Sequence, residues 1–277
     1  LFSRQGAILV KVIENKIINL RDIHETAVVH PGAKLGRNVV IGPYAVIGEH
    51  VEIGDNCEIG PHVAIDGWTT IGDGNRFFHG ASIGFEPQDL KFRGEKSVLV
   101  IGDDNIFREN VTVHRGTESG GGETRIGSHN LFMAYTHVAH DCQVGNYVVM
   151  SNCTALAGHV IVEDHVVIGG LCGIHQFTKI GKMVMVGGCS KIVKDIPPFV
   201  LVDGNPAKVS GINVVGLRRN NILPETRDEI KKAYRILYRS SLTISRAIEQ
   251  MEQELQGSAE IDHFIRFLRN AERGILR

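Results

Sequence analysis

Hydrophobic residues in this chain return at every sixth position, a spacing that belongs neither to an amphipathic helix nor to an alternating strand. Val29, Leu35, Ile41, Ile47, Ile53, Ile59, Ile65, Ile71, Phe77 and Ile83 keep the interval without a slip. Glycine follows most of them, and a small or β-branched residue stands four places on, as at Ala33, Val39, Ala45, Val51, Cys57, Val63, Thr69 and Ala81. The pattern resumes at Ile101, Phe107 and Val113, and again from Ile126 through Ile192. So short a repeat cannot bury its apolar face alone, and successive copies must stack. Short strands with one branched side chain pointing inward, joined at corners that glycine and small polar residues tolerate, wind into a triangular parallel β-coil. Three hexads, roughly 18 residues, close one turn. With rungs ~4.8 Å apart, about eight turns make a prism on the order of 40 Å long. Periodicity leaves the hand of the coil open.

Two stretches break the repeat. Residues 85–99 (FEPQDLKFRGEKSVL) replace hexads with polar and charged sequence, and residues 118–124 (ESGGGET) form a glycine-rich loop. Loops ejected from a repeat scaffold carry function or cover an edge. The glycine run neither follows a P-loop pattern nor opens a helix, which makes it a weak phosphate cradle. Beyond Pro197 and Pro198 the hexads stop, because proline has no N–H to give another strand. From Pro224 the spacing turns helical, with Ile230, Ala233, Leu237 and Tyr238, then Ile244, Ile248, Met251 and Leu255, then Ile261, Phe264, Ile265 and Leu268 on common faces. The expected organisation is an N-terminal extension over 1–27, the coil over 28–198 with its two ejected loops, and a connector plus helical part over 199–277. The extension includes a strand-like run, AILVKVIENKIINL, without the charged start and small-residue cleavage site of a signal peptide.

Composition narrows the function. A net charge of −1 points away from nucleic acid, and no apolar run approaches the ~20 residues of a membrane span. Five cysteines without a CxxC pair fit a reducing compartment, the cytoplasm. Cys57, Cys142 and Cys172 fall at the small inward position and are expected in the core.

The candidate chemistry lies between Ala134 and Gln176, where His137, His140, His159 and His175 are concentrated. On a turn of roughly 18 residues, His140, His159 and His175 recur about once per turn near one corner, so stacking brings them together, with His137 just before them. His129 and His165 fall at another corner and are expected to face solvent. A histidine column allows two chemistries: zinc ligation by neutral imidazoles, or general-base catalysis with neighbouring imidazoles binding polar substrate groups. Spacing does not choose between them.

The run THVAHDC, then LAGHV and GGLCGIHQF, with QDLKF in the first loop, TVHRGT and GGGET before the column, and IPPFV, GNPA and GINVVGLRR after it, closely resembles the UDP-N-acetylglucosamine acyltransferases of lipid A biosynthesis. The likeness runs from about Val28 to Arg277. It implies a mainly β fold, a left-handed parallel β-helix of hexapeptide repeats followed by an α-helical C-terminal domain, assembled as a homotrimer with sites between prisms. It implies transfer of a 3-hydroxyacyl chain from acyl carrier protein to the 3-hydroxyl of UDP-N-acetylglucosamine, with no metal or other cofactor. By the same resemblance His140 is the general base, Asp141 orients it, and the Gly158 N–H is the oxyanion donor. Asp89 and Lys91 match loop residues reaching the sugar and phosphate. His137, His159, His175 and Gln176 line the nucleotide-sugar and pantetheine path, and Asn213 and Arg219 lie near the nucleotide. Met185 and Gly188 match the acyl-chain ruler, where a glycine favours a long chain. Arg218 and Arg219 are the expected carrier-protein contacts, with Lys231, Lys232, Arg235 and Arg239 as a wider basic surface. Two positions depart from the family pattern: Val215 replaces an acidic residue expected near the ribose, and Asn220 stands where a second arginine is common. A zinc hydratase of the carbonic anhydrase type is the alternative enzyme on this scaffold, and a non-catalytic solenoid is the non-enzymatic one.

Overall fold

The computed structural model describes residues 22–255 and 257–277. The predicted strand in the run before residue 22 lies outside the described residues. From Asp22 the chain winds through two-residue strands that assemble into three sheets of eleven, nine and eight strands. Up to the last rung of hexads each strand pairs in parallel with the one three strands later, as Val138 with Leu156 and Leu156 with Ile174. This makes a triangular coil, the left-handed parallel β-helix that the resemblance implies. Left-handed winding runs against the right-handed crossover rule. Here the connections are tight corners, and a residue in the left-handed αL region recurs at every corner from His129 to Cys189, six residues apart; Asp141, His159 and Phe177 (φ near 60°) form one such column.

The hexad residues form one continuous core: Ile41, Ile47, Ile59, Ile65, Ile83, Val138, Met150 and Leu156 are all buried. Phe77, Phe107 and Phe132 stack inside it at 4.8 and 4.9 Å between ring centroids. Cys57, Cys142 and Cys172 are buried as expected, and the Cys142 thiol donates to the Ala157 carbonyl at 3.1 Å. One inward column departs from the apolar rule. Asn75, Asn105 and Asn130 are buried at the small position, where Asn105 donates to the Asn75 side chain at 2.9 Å and caps the Gly127 carbonyl at 3.0 Å. Their amides replace backbone partners at the rungs from which the loops depart.

Both ends of the coil extend past the expected 28–198. Asp22–Ile23 pairs with Val40–Ile41 at the start. At the other end Val200–Gly204 adds a rung beside Met185–Val186, then turns back as an antiparallel hairpin with Ala207–Ile212. The proline pair therefore ends the hexads without ending the sheet, because the next donors come from residues beyond it. The face that carries the hairpin exceeds the eight rungs expected. Four helices follow: α1 (Val214–Arg219), α2 (Pro224–Tyr238), α3 (Ile244–Glu254) and α4 (Ala259–Arg269). The predicted apolar stripes of α2, α3 and α4 pack together in a second core around Ile230, Leu237, Met251 and Phe264. Met183 and Phe199 join this core from the coil, and His263 of α4 bonds Glu163 at 2.7 Å.

Candidate active site

The corner after His137–Val138 places His140 and Asp141 side by side. His140 Nδ1 lies 2.7 Å from Asp141 Oδ2, and the aspartate side chain is 1% exposed against 13% for the imidazole. With the carboxylate ionised, Nδ1 is the donor, which leaves Nε2 as the acceptor. Asp141 is held from three more directions. The Thr117 N–H donates to Oδ1 at 2.8 Å, the Thr117 hydroxyl donates to Oδ2 at 2.7 Å, and the Asp141 N–H donates to Thr124 Oγ1 at 2.7 Å. Burial by itself would raise the carboxyl pKa, but the bonds from His140 and Thr117 outweigh it and hold the group below the usual carboxylate range.

The next rung places Gly158 and His159 against this pair. A Cβ on Gly158 would come within 2.6 Å of His140 Cε1, so the ring occupies space that only glycine leaves free. The Gly158 N–H meets no protein acceptor among the described residues. His159 sits edge-on to His140 at 5.2 Å and stacks on Phe177 at 4.4 Å, with its Nε2 3.7 Å from Asp141 Oδ2. Burial lowers the pKa of His159, opposed by the Asp141 carboxylate.

The expected column of His140, His159 and His175 is thus half realised. Strict stacking aligns Asp141, His159 and Phe177, and His175 falls two residues before that corner. It is exposed, with Nδ1 3.1 Å from the carbonyl of its exposed neighbour Gln176. His137 occupies the adjoining sheet face, where Nδ1 bonds Thr112 Oγ1 at 2.7 Å and the ring lies edge-on to His114 at 4.9 Å. His129 and His165 sandwich Tyr147 at a separate corner, at 4.8 and 4.9 Å.

Both ejected loops fold onto this corner. In the first, Asp89 caps the Lys91 N–H at 2.9 Å, and Phe92 lies under the buried Arg115 guanidinium, 5.3 Å from the ring centroid. Asp89 and Lys91 both act on the charge of His159. The second loop forms a 3₁₀ turn over Glu118–Gly120, capped by Thr117. A cleft of ≈ 340 Å³ separates Asp89, Lys91 and Phe92 from Thr117, Glu118 and Ser119. Of the glycine run, Gly120 packs directly on the Asp141 carboxylate. Thr117, Thr124, Gly120 and His114 escaped the sequence reading. The sequence signal was their place in the motifs TVHRGT and GGGET, in and beside a loop with no role in the repeat, to which no role was attached.

The remaining candidates lie further along the chain. Gly188 is exposed, and a Cβ there would touch only the Gly170 backbone, at 3.4 Å from its carbonyl oxygen. Met185, two residues before the turn, is half-buried in its rung. Asn213 has an architectural duty the sequence did not reveal: it is buried, its Oδ1 accepts the Gly216 N–H at 2.9 Å at the start of α1, and its amide donates to the Met183 carbonyl at 2.9 Å. Val215, Arg218 and Arg219 are exposed on α1, and Asn220 closes that helix by donating to the Gly216 carbonyl.

His140, Asp141 and His159 bring ligand atoms within 4.8 Å of one another, a spacing a metal could use. The donor chemistry argues against it. Tetrahedral zinc with bonds of ~2.0–2.1 Å holds its ligands roughly 3.3 Å apart. His140 and Asp141 instead meet at 2.7 Å, as a proton shared between them requires. What the cluster offers is a base with its tautomer fixed by an anion, next to an unpaired amide.

Residues 195–276 match the domain family described as Udp N-acetylglucosamine O-acyltransferase, domain 2, and residues 32–67 match the bacterial transferase hexapeptide repeat. An acyl-[acyl-carrier-protein]--UDP-N-acetylglucosamine O-acyltransferase of Myxococcus xanthus is 50% identical over 258 residues, 93% of this chain and 100% of the relative. The Synechocystis protein of the same description is 47% identical over 209 residues, 76% of this chain and 75% of its own length. Among solved structures, a UDP-N-acetylglucosamine acyltransferase from Bacteroides fragilis superposes with a TM-score of 0.90 at 45% identity, covering 92% of this chain and 100% of the other. Identity and coverage of this extent show one thing: this chain belongs to the UDP-N-acetylglucosamine O-acyltransferase family.

Proposed function

We propose that the protein transfers a 3-hydroxyacyl chain from acyl carrier protein to the 3-hydroxyl of UDP-N-acetylglucosamine, the first step of lipid A biosynthesis. The observation that carries the mechanism is the His140–Asp141 pair, 2.7 Å apart, with Nε2 left as acceptor beside Gly158. In the forward step His140 Nε2 takes the proton of the sugar hydroxyl as its oxygen attacks the thioester carbonyl. The oxyanion that forms accepts the Gly158 N–H. As the intermediate collapses, the C–S bond breaks and the imidazolium returns the proton to the departing thiolate. Asp141 stays ionised throughout and stabilises the imidazolium, as the acid of a catalytic triad does. A base of this kind is worth ~10²–10⁴-fold and an oxyanion donor ~10²–10³-fold.

The substrates are placed by residue type and position. Asp89 and Lys91 reach the sugar and phosphate from the first loop. His137, His159, His175 and Gln176 line the path shared by the nucleotide sugar and pantetheine. Asn213, which builds the start of α1, and Arg219 border the nucleotide. Met185 and Gly188 end the acyl groove, and Arg218 with Arg219 contacts the acidic carrier protein. The working form is a cytoplasmic homotrimer with its sites between prisms. No helix among the described residues is long and apolar enough to cross a membrane. The hydratase alternative is not favoured.

The test is product mass from purified protein, UDP-N-acetylglucosamine and a series of 3-hydroxyacyl carrier-protein donors. His140→Ala is expected to lower kcat by ~10²–10⁴-fold. Full activity in that variant would remove the base assignment, and no transfer by the intact protein with any donor would remove the function.

A further inference from the structure

Among the described residues the most completely enclosed charge at the site is the Asp141 carboxylate, and its surroundings come from outside the repeat. Thr117 is 2% exposed and makes two bonds to it, one from the backbone to Oδ1 at 2.8 Å and one from the hydroxyl to Oδ2 at 2.7 Å. Oδ2 is the same oxygen that receives Nδ1 of His140. The Thr117 hydroxyl also accepts the Gly120 N–H at 3.2 Å, which folds the 3₁₀ turn back on itself. That turn brings the Gly120 Cα so close to Asp141 that any Cβ there would collide with the carboxylate.

From this geometry we propose that Thr117 is a positioning residue for the transfer reaction. Gripping both oxygens of Asp141, it fixes the plane of the carboxylate, and through it the tautomer and tilt of His140. Gly120 is the contact surface that lets the grip close. The inference rests on the reading of His140 as the base.

The reasons are geometric. A carboxylate with one free torsion could turn Oδ2 away from Nδ1, and a ring released from it could present either nitrogen to the substrate. Two donors from a single residue remove that freedom, because the backbone bond sets one oxygen and the hydroxyl sets the other. The second loop interrupts the hexads, and none of the residues of its turn, Glu118–Gly120, is buried, so holding the dyad gives it a purpose that the scaffold does not. The Glu118 N–H further ties it to Glu95 of the first loop at 3.4 Å.

Thr117→Val removes the hydroxyl at nearly constant shape, and Thr117→Ser keeps it. For Thr117→Val we expect kcat to fall about 10–100-fold, the usual effect of losing a hydrogen bond to a charged group, with KM for both substrates within error of wild type and the melting temperature lowered by only a few degrees. Thr117→Ser should recover most of the rate. Gly120→Ala should lower kcat at least as far, and it reads the same contact should the valine variant not fold. Wild-type kcat in a folded Thr117→Val protein would overturn the inference. So would a loss that appears in KM or is not restored by serine. Wild-type activity in His140→Ala would instead sink the base assignment on which the inference depends.

Discussion

At the residue scale, catalytic competence depends on a few atoms whose freedom the surroundings remove. Gly158 is the sharpest case, since its missing side chain is the space in which His140 sits. Gly158→Ala should displace the imidazole, lower kcat by at least ~10²-fold and leave the melting temperature within a few degrees. Steady-state kinetics with a thermal melt separates the two effects. His114 is a second case. It is buried behind His137, its Nδ1 has no partner, and burial holds its pKa down at about 4. The unfolded imidazole titrates near ~6.5. Between those values the unfolded chain binds a proton that the folded chain refuses, so stability is full above pH ~6.5 and falls as the pH drops toward 4. Burial lowers the pKa of His137 and His159 as well, which adds to the same slope. Urea midpoints measured across this window should decline on acidification, and less steeply in His114→Phe.

At the element scale, the hexad does two things: its inward residue makes the core and its corner presents the chemistry. The inward residues were legible because burial demands one apolar position in every six. The corners were legible only approximately. His140 and His159 were brought together as expected, whereas His175 was not, because a displacement of two residues along a rung points a side chain out of the neighbouring stack. The same sensitivity bears on the acyl ruler proposed at Gly188. Gly188 faces open space bounded by the Gly170 backbone, so a long side chain can be accommodated there without breaking the rung. Gly188→Met should shift preference toward shorter acyl donors, read by product mass from mixed donor chain lengths. Unchanged selectivity would reject the ruler role.

At the scale of the whole molecule, the prism has an apolar edge. Tyr135 and Leu171 are 62% and 65% exposed along a single corner column, with exposed Cys153 and Cys189 between and after them. Aligned apolar side chains of this kind mark a surface meant to be covered, and a second and third prism would cover it. Light scattering should give three times the 30.4 kDa of one chain. Leu171→Asp, in the middle of that edge, should lower the assembled mass and the activity together.

The motifs around His140, Asp141 and Gly158 were legible only through their resemblance to a family; what the sequence by itself determined was everything that repeats: the coil, its core residues, the buried cysteines and the three long helices. Periodic burial writes these one position at a time. Tertiary structure alone decided what does not repeat. Thr117, Gly120 and Thr124 enclose Asp141 from in and beside a loop whose composition named no role, His114 backs His137 from the rung before, and Asn213 serves as a helix cap. The hairpin past the proline pair belongs with them. Each depends on where an irregular segment lands in space, and the hexad pattern carries no information about that once the chain leaves the coil.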